Sequence, residues 1–166
     1  MPITTLKWGV GMGIDKGAVL SCSLSVTGLA VILASLPMSW YQLDGVNYEF
    51  LSGESSHISP DSVMMVLNLA RTSFAIGALF AWAFILSSFT GRTRFTVSVG
   101  WLSVALLMIG FAHGLSRVTF ESNDYILRGG WFVGVLGLVL VFAAAVVEMN
   151  KYFAGEKRVL EDEEPF

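Results

Sequence analysis

The sequence predicts an all-α membrane protein, an antiparallel four-transmembrane-helix bundle carrying a small extracellular β-hairpin, and three observations predict it. Apolar residues make up 54% of the 166 positions and charged ones only 14%, too few to clothe a water-soluble surface. Residues 17–38, 72–90, 95–116 and 129–147 form four runs without Asp, Glu, Lys or Arg. Each is close to the roughly 20 helical residues needed to cross about 30 Å of hydrocarbon. Apolar side chains also recur on every side of these runs, whereas a surface helix of a soluble protein keeps a polar back.

Residues 1–16 read as a cytoplasmic segment, with Gly9, Gly11 and Gly13 forming a flexible approach. The first helix is expected over residues 17–38. It is too long for a signal-peptide core and lacks a clean small-residue cleavage site, so it reads as a retained span. Cys22, the one cysteine, falls inside it, which rules out an intramolecular disulfide or a cysteine metal cluster.

The outer loop, residues 39–61, carries Trp40-Tyr41-Gln42-Leu43 and Val46-Asn47-Tyr48-Glu49-Phe50 on either side of Asp44-Gly45. An Asp-Gly pair between alternating apolar residues suits the positive φ angles of a tight hairpin turn. Ser59-Pro60-Asp61-Ser62 then makes a helix start, giving a second helix over residues 62–90.

The short link around Arg92 forces the third helix, residues 95–117, to run back beside the second. Residues 129–153 form the fourth, and residues 154–166 an acidic cytoplasmic tail ending in Glu161-Asp162-Glu163-Glu164, read as a solvated end.

Positive charge orients the bundle. Lys7 and Lys16 precede helix one, Arg92 and Arg94 fill the second connection, and Lys151, Lys157 and Arg158 follow helix four, whereas residues 39–61 hold no Lys or Arg. The positive-inside rule places both termini in the cytoplasm and the first and third loops outside, in a plasma membrane. Trp40, Tyr41, Trp131, Tyr152 and Phe153 stand where interfacial anchors belong. In lipid, helices approach closely through small residues, and the spacings Gly110/Gly114 and Gly130/Gly134 predict that helices three and four meet there.

The inventory for chemistry is thin. Arg71 falls roughly 15 Å along the second helix at about 1.5 Å per residue, near the outer headgroup boundary. A guanidinium at membrane depth needs a partner. Carbonyls or carboxylates of the outer loop such as Glu49 would supply one, so Arg71 is expected to clamp the loop to the bundle. His113 and His57 are the two histidines, and His113 reads as an interfacial residue with ordinary hydrogen bonds. Glu148, just past the fourth run, is expected to need only water or Lys151. Paired intramembrane carboxylates, a Ser/His/Asp set, a zinc-protease motif and a phosphate loop are all missing from the sequence. It predicts no catalytic residue, no cofactor, no metal and no nucleic-acid partner. Its partners are membrane lipid and other integral membrane subunits, or further copies of itself.

Several segments resemble the claudin and peripheral myelin protein superfamily. Leu36-Pro37-Met38-Ser39-Trp40 looks like the claudin Leu-Pro-x-Trp segment with one residue inserted. Tyr48-Glu49-Phe50-Leu51 is similar to the Tyr-Glu-Gly-Leu-Trp stretch of the first extracellular loop. Leu69-Ala70-Arg71 looks like the Ala-Arg-Ala start of the family's second helix, and Tyr125-Ile126-Leu127 is similar to the myelin-protein Tyr-Ile-Leu-Ala-Trp run. The likeness extends over about residues 17–153.

It implies a left-handed bundle with a small outer sheet, Arg71 bracing the loop and Trp40 anchoring it at the membrane surface. A loop cysteine pair, a long first loop and a terminal Tyr-Val are the family features this chain lacks. Three functions compete: an accessory or scaffolding subunit packed laterally in a larger complex, a cell-contact or barrier protein of cell junctions that self-assembles, and a small membrane enzyme or haem protein using Arg71 and His113.

Overall fold

A computed structural model describes residues 16–43, 46–49, 60–89, 93–121 and 125–162. Helix α1 spans Lys16–Ser35, α2 Pro60–Ser87, α3 Thr93–Glu121 and α4 Gly129–Asp162; strands β1 (Ser39–Leu43), β2 (Val46–Glu49) and β3 (Tyr125–Leu127) lie in the connections. The protein is therefore mostly helical. Among the described residues three apolar helical stretches, Lys16–Ser35, Arg94–His113 and Gly129–Glu156, are long enough to cross a membrane, and Arg71–Ser87 of α2 is a shorter one.

Helix ends follow local chemistry. The first helix stops at Ser35, three residues before the expected end, because Pro37 disfavours helical backbone at Leu36 and the chain must turn into β1. Helix α2 begins at Pro60, two residues earlier than expected, a position where a missing N–H costs nothing. Helix α3 runs four residues past 117, and α4 continues to Asp162, nine past 153. The segment placed in an acidic tail is thus helical through Asp162, since Ala154, Glu156, Lys157, Arg158 and Leu160 are all good helix formers.

The three strands form one antiparallel sheet in the order β2-β1-β3. Tyr41 pairs with Tyr48, Gln42 with Asn47 and Leu43 with Val46 on one side; Tyr41 pairs with Leu127 and Leu43 with Tyr125 on the other. The expected turn at Asp44 and Gly45 lies outside the described residues. Strand β3 was not anticipated from the residue pattern, since three residues are too few for period-two alternation to register. It takes its place because β1 offers it an unsatisfied edge. Because β1 follows α1 and β3 precedes α4, the sheet ties two connections together at one end of the bundle. Lys16 and Asp162 lie at the other end.

Helix α1 packs along α4, α2 along α3, and α3 closes the bundle against α4, with a slighter α1–α2 contact. The α1–α4 contact is the closest. A Cβ on Gly28 would stand 2.7 Å from the Gly137 carbonyl oxygen, and one on Gly137 would stand 2.6 Å from the Gly28 carbonyl oxygen. Both positions need glycine because the two backbones touch. Gly77 of α2 receives Leu107 of α3 at 3.0 Å, and Gly100 of α3 receives Phe84 of α2 at 2.8 Å, each measured from where a Cβ would be.

A Cβ on Gly130 would strike Trp40, the Ser39 carbonyl and Met38 at 2.7–2.9 Å, so this glycine makes room for the chain leaving α1. Gly134, one turn on, does receive Phe111 of α3, and Ser35 of α1 as well. Gly110 is buried on α3, and Gly114 lies in the same helix one turn later.

Gly137→Leu should therefore destabilise the protein by about 1–3 kcal/mol, as overpacking of a tight contact does. Gly155→Ala, where an added Cβ has no heavy atom within 4 Å, should be neutral or stabilise by up to about 1 kcal/mol through helix propensity. Denaturant unfolding in detergent, followed by circular dichroism, compares the two.

Candidate functional site

Two clusters of polar and aromatic groups sit at opposite ends of the α1–α4 seam. The one at the sheet end is built around Trp40, which is 3% exposed. Its indole Nε1 donates to the Ser35 carbonyl at 2.7 Å, capping the end of α1, and its carbonyl accepts the Arg128 backbone N–H at 2.9 Å. Its ring stacks on Phe111 with centroids 5.1 Å apart, and Phe111 in turn meets Phe74 of α2 at 5.7 Å. One side chain thus joins α1, the sheet, α3 and the start of α4, and through Phe111 it reaches α2. These rings belong to the main apolar cluster with Ile32, Val104, Leu107, Val141 and Ala145.

Arg71 is half-buried on α2, one turn outward of Phe74. Residues three apart share a helix face, so Arg71 stands on the side of α2 that faces the Trp40 cluster. The side chains of Tyr41, Tyr48 and Glu49 are not among those described, although their backbones pair in the sheet, and Phe50 lies outside the described residues. The pairing of Arg71 with Glu49 thus falls outside them too.

Beside Trp40, Arg128 donates through a terminal guanidinium nitrogen to the Gln42 side-chain oxygen, linking the α4 start to β1. An open cleft of about 510 Å³ runs between the end of α1 and the start of α4, lined by Pro37, Met38, Ser39, Arg128, Gly129 and Gly130. The Arg128 Nε and Trp131 Nε1 are buried without a hydrogen-bond partner.

The cluster at the opposite end is one the sequence does not announce. Glu148 is 2% exposed. Its Oε1 accepts from Ser21 Oγ on α1, and it pairs with Lys151 Nζ at 3.1 Å. The Lys151 contact is the expected one; the bond to α1 is new. A partial sequence signal existed. Ser21, Ser25, Gly28 and Ser35 place small residues along α1 at spacings of four, three and seven, and Gly28 and Ser35 of that stripe meet Gly137 and Gly134 of α4. Ser25, between the two contact points, is fully buried with its Oγ unpartnered. Nearby, the Arg94 guanidinium of α3 lies over the Tyr152 ring, 5.7 Å from its centre.

Other interior hydroxyls also tie helices. Ser103 Oγ donates to the Gly77 carbonyl across α3–α2 at 3.1 Å, and Thr96 Oγ1 to the Ser87 carbonyl at 3.0 Å. His113 is half-buried and its Nδ1 lies 2.8 Å from the Ile109 carbonyl, one turn back in its own helix. Among the described residues no three His, Cys, Asp or Glu side chains gather as a metal would require. No protein-family model matches the chain, and no curated protein does.

Replacing Trp40 by Phe keeps the stack on Phe111 and removes the indole donor, which should cost about 0.5–1.5 kcal/mol. Trp40→Ala should cost about 3–5 kcal/mol, as loss of a buried large aromatic does. Thermal unfolding of both variants in one detergent checks the order.

Proposed function

We propose that this chain is a claudin-like membrane protein of four spans, with both termini in the cytoplasm, which works without catalysis as an accessory or scaffolding subunit held by lateral helix packing and by its outer loop. One observation carries the reading. Among the described residues, several buried polar groups bond to neighbouring backbone or helices: Ser21 to Glu148, Ser103 to Gly77, Thr96 to Ser87 and Trp40 to Ser35.

The outward surface complements this. Leu79, Leu86, Phe89, Phe95, Phe132 and Leu136 are each more than half exposed. Apolar side chains facing outward from three different helices suit a hydrocarbon solvent and a partner embedded in it. With the sheet at one end and Lys16 and Lys151 at the other, the positive-inside rule assigns the sheet to the outer face. Helix α2, 28 residues long, supplies the fourth span in this reading, its outer part beginning above the hydrocarbon.

Arg71 braces the outer loop in this reading. Its place on the Phe74 face of α2, below the Trp40 cap, supports that role. Arg71→Ala should increase protease cleavage within residues 39–61 severalfold while leaving the helical signal intact, and Arg71→Lys should restore only part of the protection, because lysine lacks the planar fork. Unchanged cleavage in Arg71→Ala removes the clamp.

For the function itself, the tagged protein is extracted from native membranes in mild detergent. Defined integral membrane partners should co-purify in constant ratio and crosslink to the helix surface. Recovery of a lone monomer under conditions that preserve other membrane complexes refutes the accessory role. Enrichment at cell borders with homotypic crosslinks would instead favour a contact or barrier protein.

A further inference from the structure

We propose that Glu148 is a proton-binding site that latches the inner end of α1 to α4 and releases it when the carboxylate takes up a proton. Glu148 lies within the apolar stretch Gly129–Glu156. At about 1.5 Å per residue it stands roughly 28 Å from Gly129, near the far edge of a 30 Å hydrocarbon layer. There the carboxylate is almost wholly enclosed, while Lys151, its ion-pair partner, is 25% exposed. The pair therefore runs from a dry helix seam to the surface, and gives water-borne protons a short route to a buried group.

Three contacts define the latch. Ser21 Oγ of α1 donates to the Glu148 carboxylate, the same oxygen faces Lys151 Nζ, and Ser21 Oγ also lies 3.3 Å from the Ala18 carbonyl of its own helix. As a carboxylate, Glu148 accepts both donors with the strength of charge-assisted bonds. As a carboxylic acid it loses the attraction of Lys151, and Ser21 retains an alternative acceptor on α1. Protonation thus weakens the cross-helix bond without leaving the serine unpaired.

The seam is built to turn this into motion at one end. Seven residues up α1, Gly28 and Gly137 hold the backbones in contact, a fixed crossing point about which the inner segment of α1 can swing. Among the described residues the other ionisable groups at this end of the bundle are Lys16 and Cys22 on α1, Tyr152 and Glu156 on α4, and Arg94 of α3 over Tyr152. Residues 72–87 of α2 contain none. Cys22, next to Ser21 and packed towards Leu29, Ala81 and Ile85, reports on the position of this segment.

The full chain is reconstituted in phosphatidylcholine vesicles, and the rate at which a small maleimide labels Cys22 is followed from neutral to acid pH in wild type and Glu148→Gln. Taking the ratio of the two at each pH cancels the intrinsic pH dependence of thiol reactivity. At neutral pH the glutamine variant should label severalfold faster, and the ratio should fall to one as wild type acidifies. A ratio that is the same at every pH overturns the proposal. Should Glu148→Gln not fold, wild type alone decides the question. Dicyclohexylcarbodiimide, which requires a protonated carboxyl, should modify Glu148 increasingly as pH falls and faster than the exposed Glu156. Modification of Glu148 that never exceeds that of Glu156 overturns the proposal equally.

Discussion

The backbone contact between Gly28 and Gly137 is the constraint on which the rest of the molecule depends. Where each glycine would place a Cβ against the other's carbonyl oxygen at 2.6–2.7 Å, no other residue lets α1 and α4 run so close. In lipid, apolar burial gives helices no reason to associate, so packing and a few interhelical bonds must do it. Once the crossing is fixed, its consequences run both ways along the seam: outward to Ser35, Gly134 and the Trp40 cap, inward to Ser21 and Glu148.

The two ends of this seam use opposite chemistry. At the sheet end a large aromatic ring joins four elements through neutral contacts, stacking on Phe111 and donating one hydrogen bond to the last turn of α1. Such a joint has no group that titrates, and the sheet it supports adds the backbone pairing of three strands. The opposite end is held by a buried carboxylate that depends on its two donors, Ser21 and Lys151. The sheet end of the seam is thus joined by neutral contacts and the other end by the ion pair of a buried carboxylate.

Much of the architecture was legible because it follows from composition along the chain. The uncharged runs located the apolar helices, and Trp40 stood out as an aromatic closing a proline-marked helix end. Glycine spacing was read only as far as Gly134. Matching Gly28 of α1 with Gly137, and Ser35 with Gly134, needs knowledge of which helices are neighbours, and a sequence of connections does not give it: α1 lies closest to α4, the helix farthest from it in the chain. Strand β3 escaped for a related reason, as three residues acquire strand character only from the edge they meet.

Glu148 shows how far a single charge can be misjudged from position alone. Placed one residue after a span of 19 uncharged positions, it reads as an interfacial group facing water, since a lysine three residues on offers an ordinary surface ion pair. What changes its meaning is the rotation of α4 about its axis. Gly134, Gly137, Val141, Ala145 and Glu148 follow one another at three and four residues, so the turn of helix that brings Gly137 onto Gly28 necessarily carries Glu148 onto Ser21. The carboxylate is buried because the glycines set the rotation of α4 that turns it onto α1.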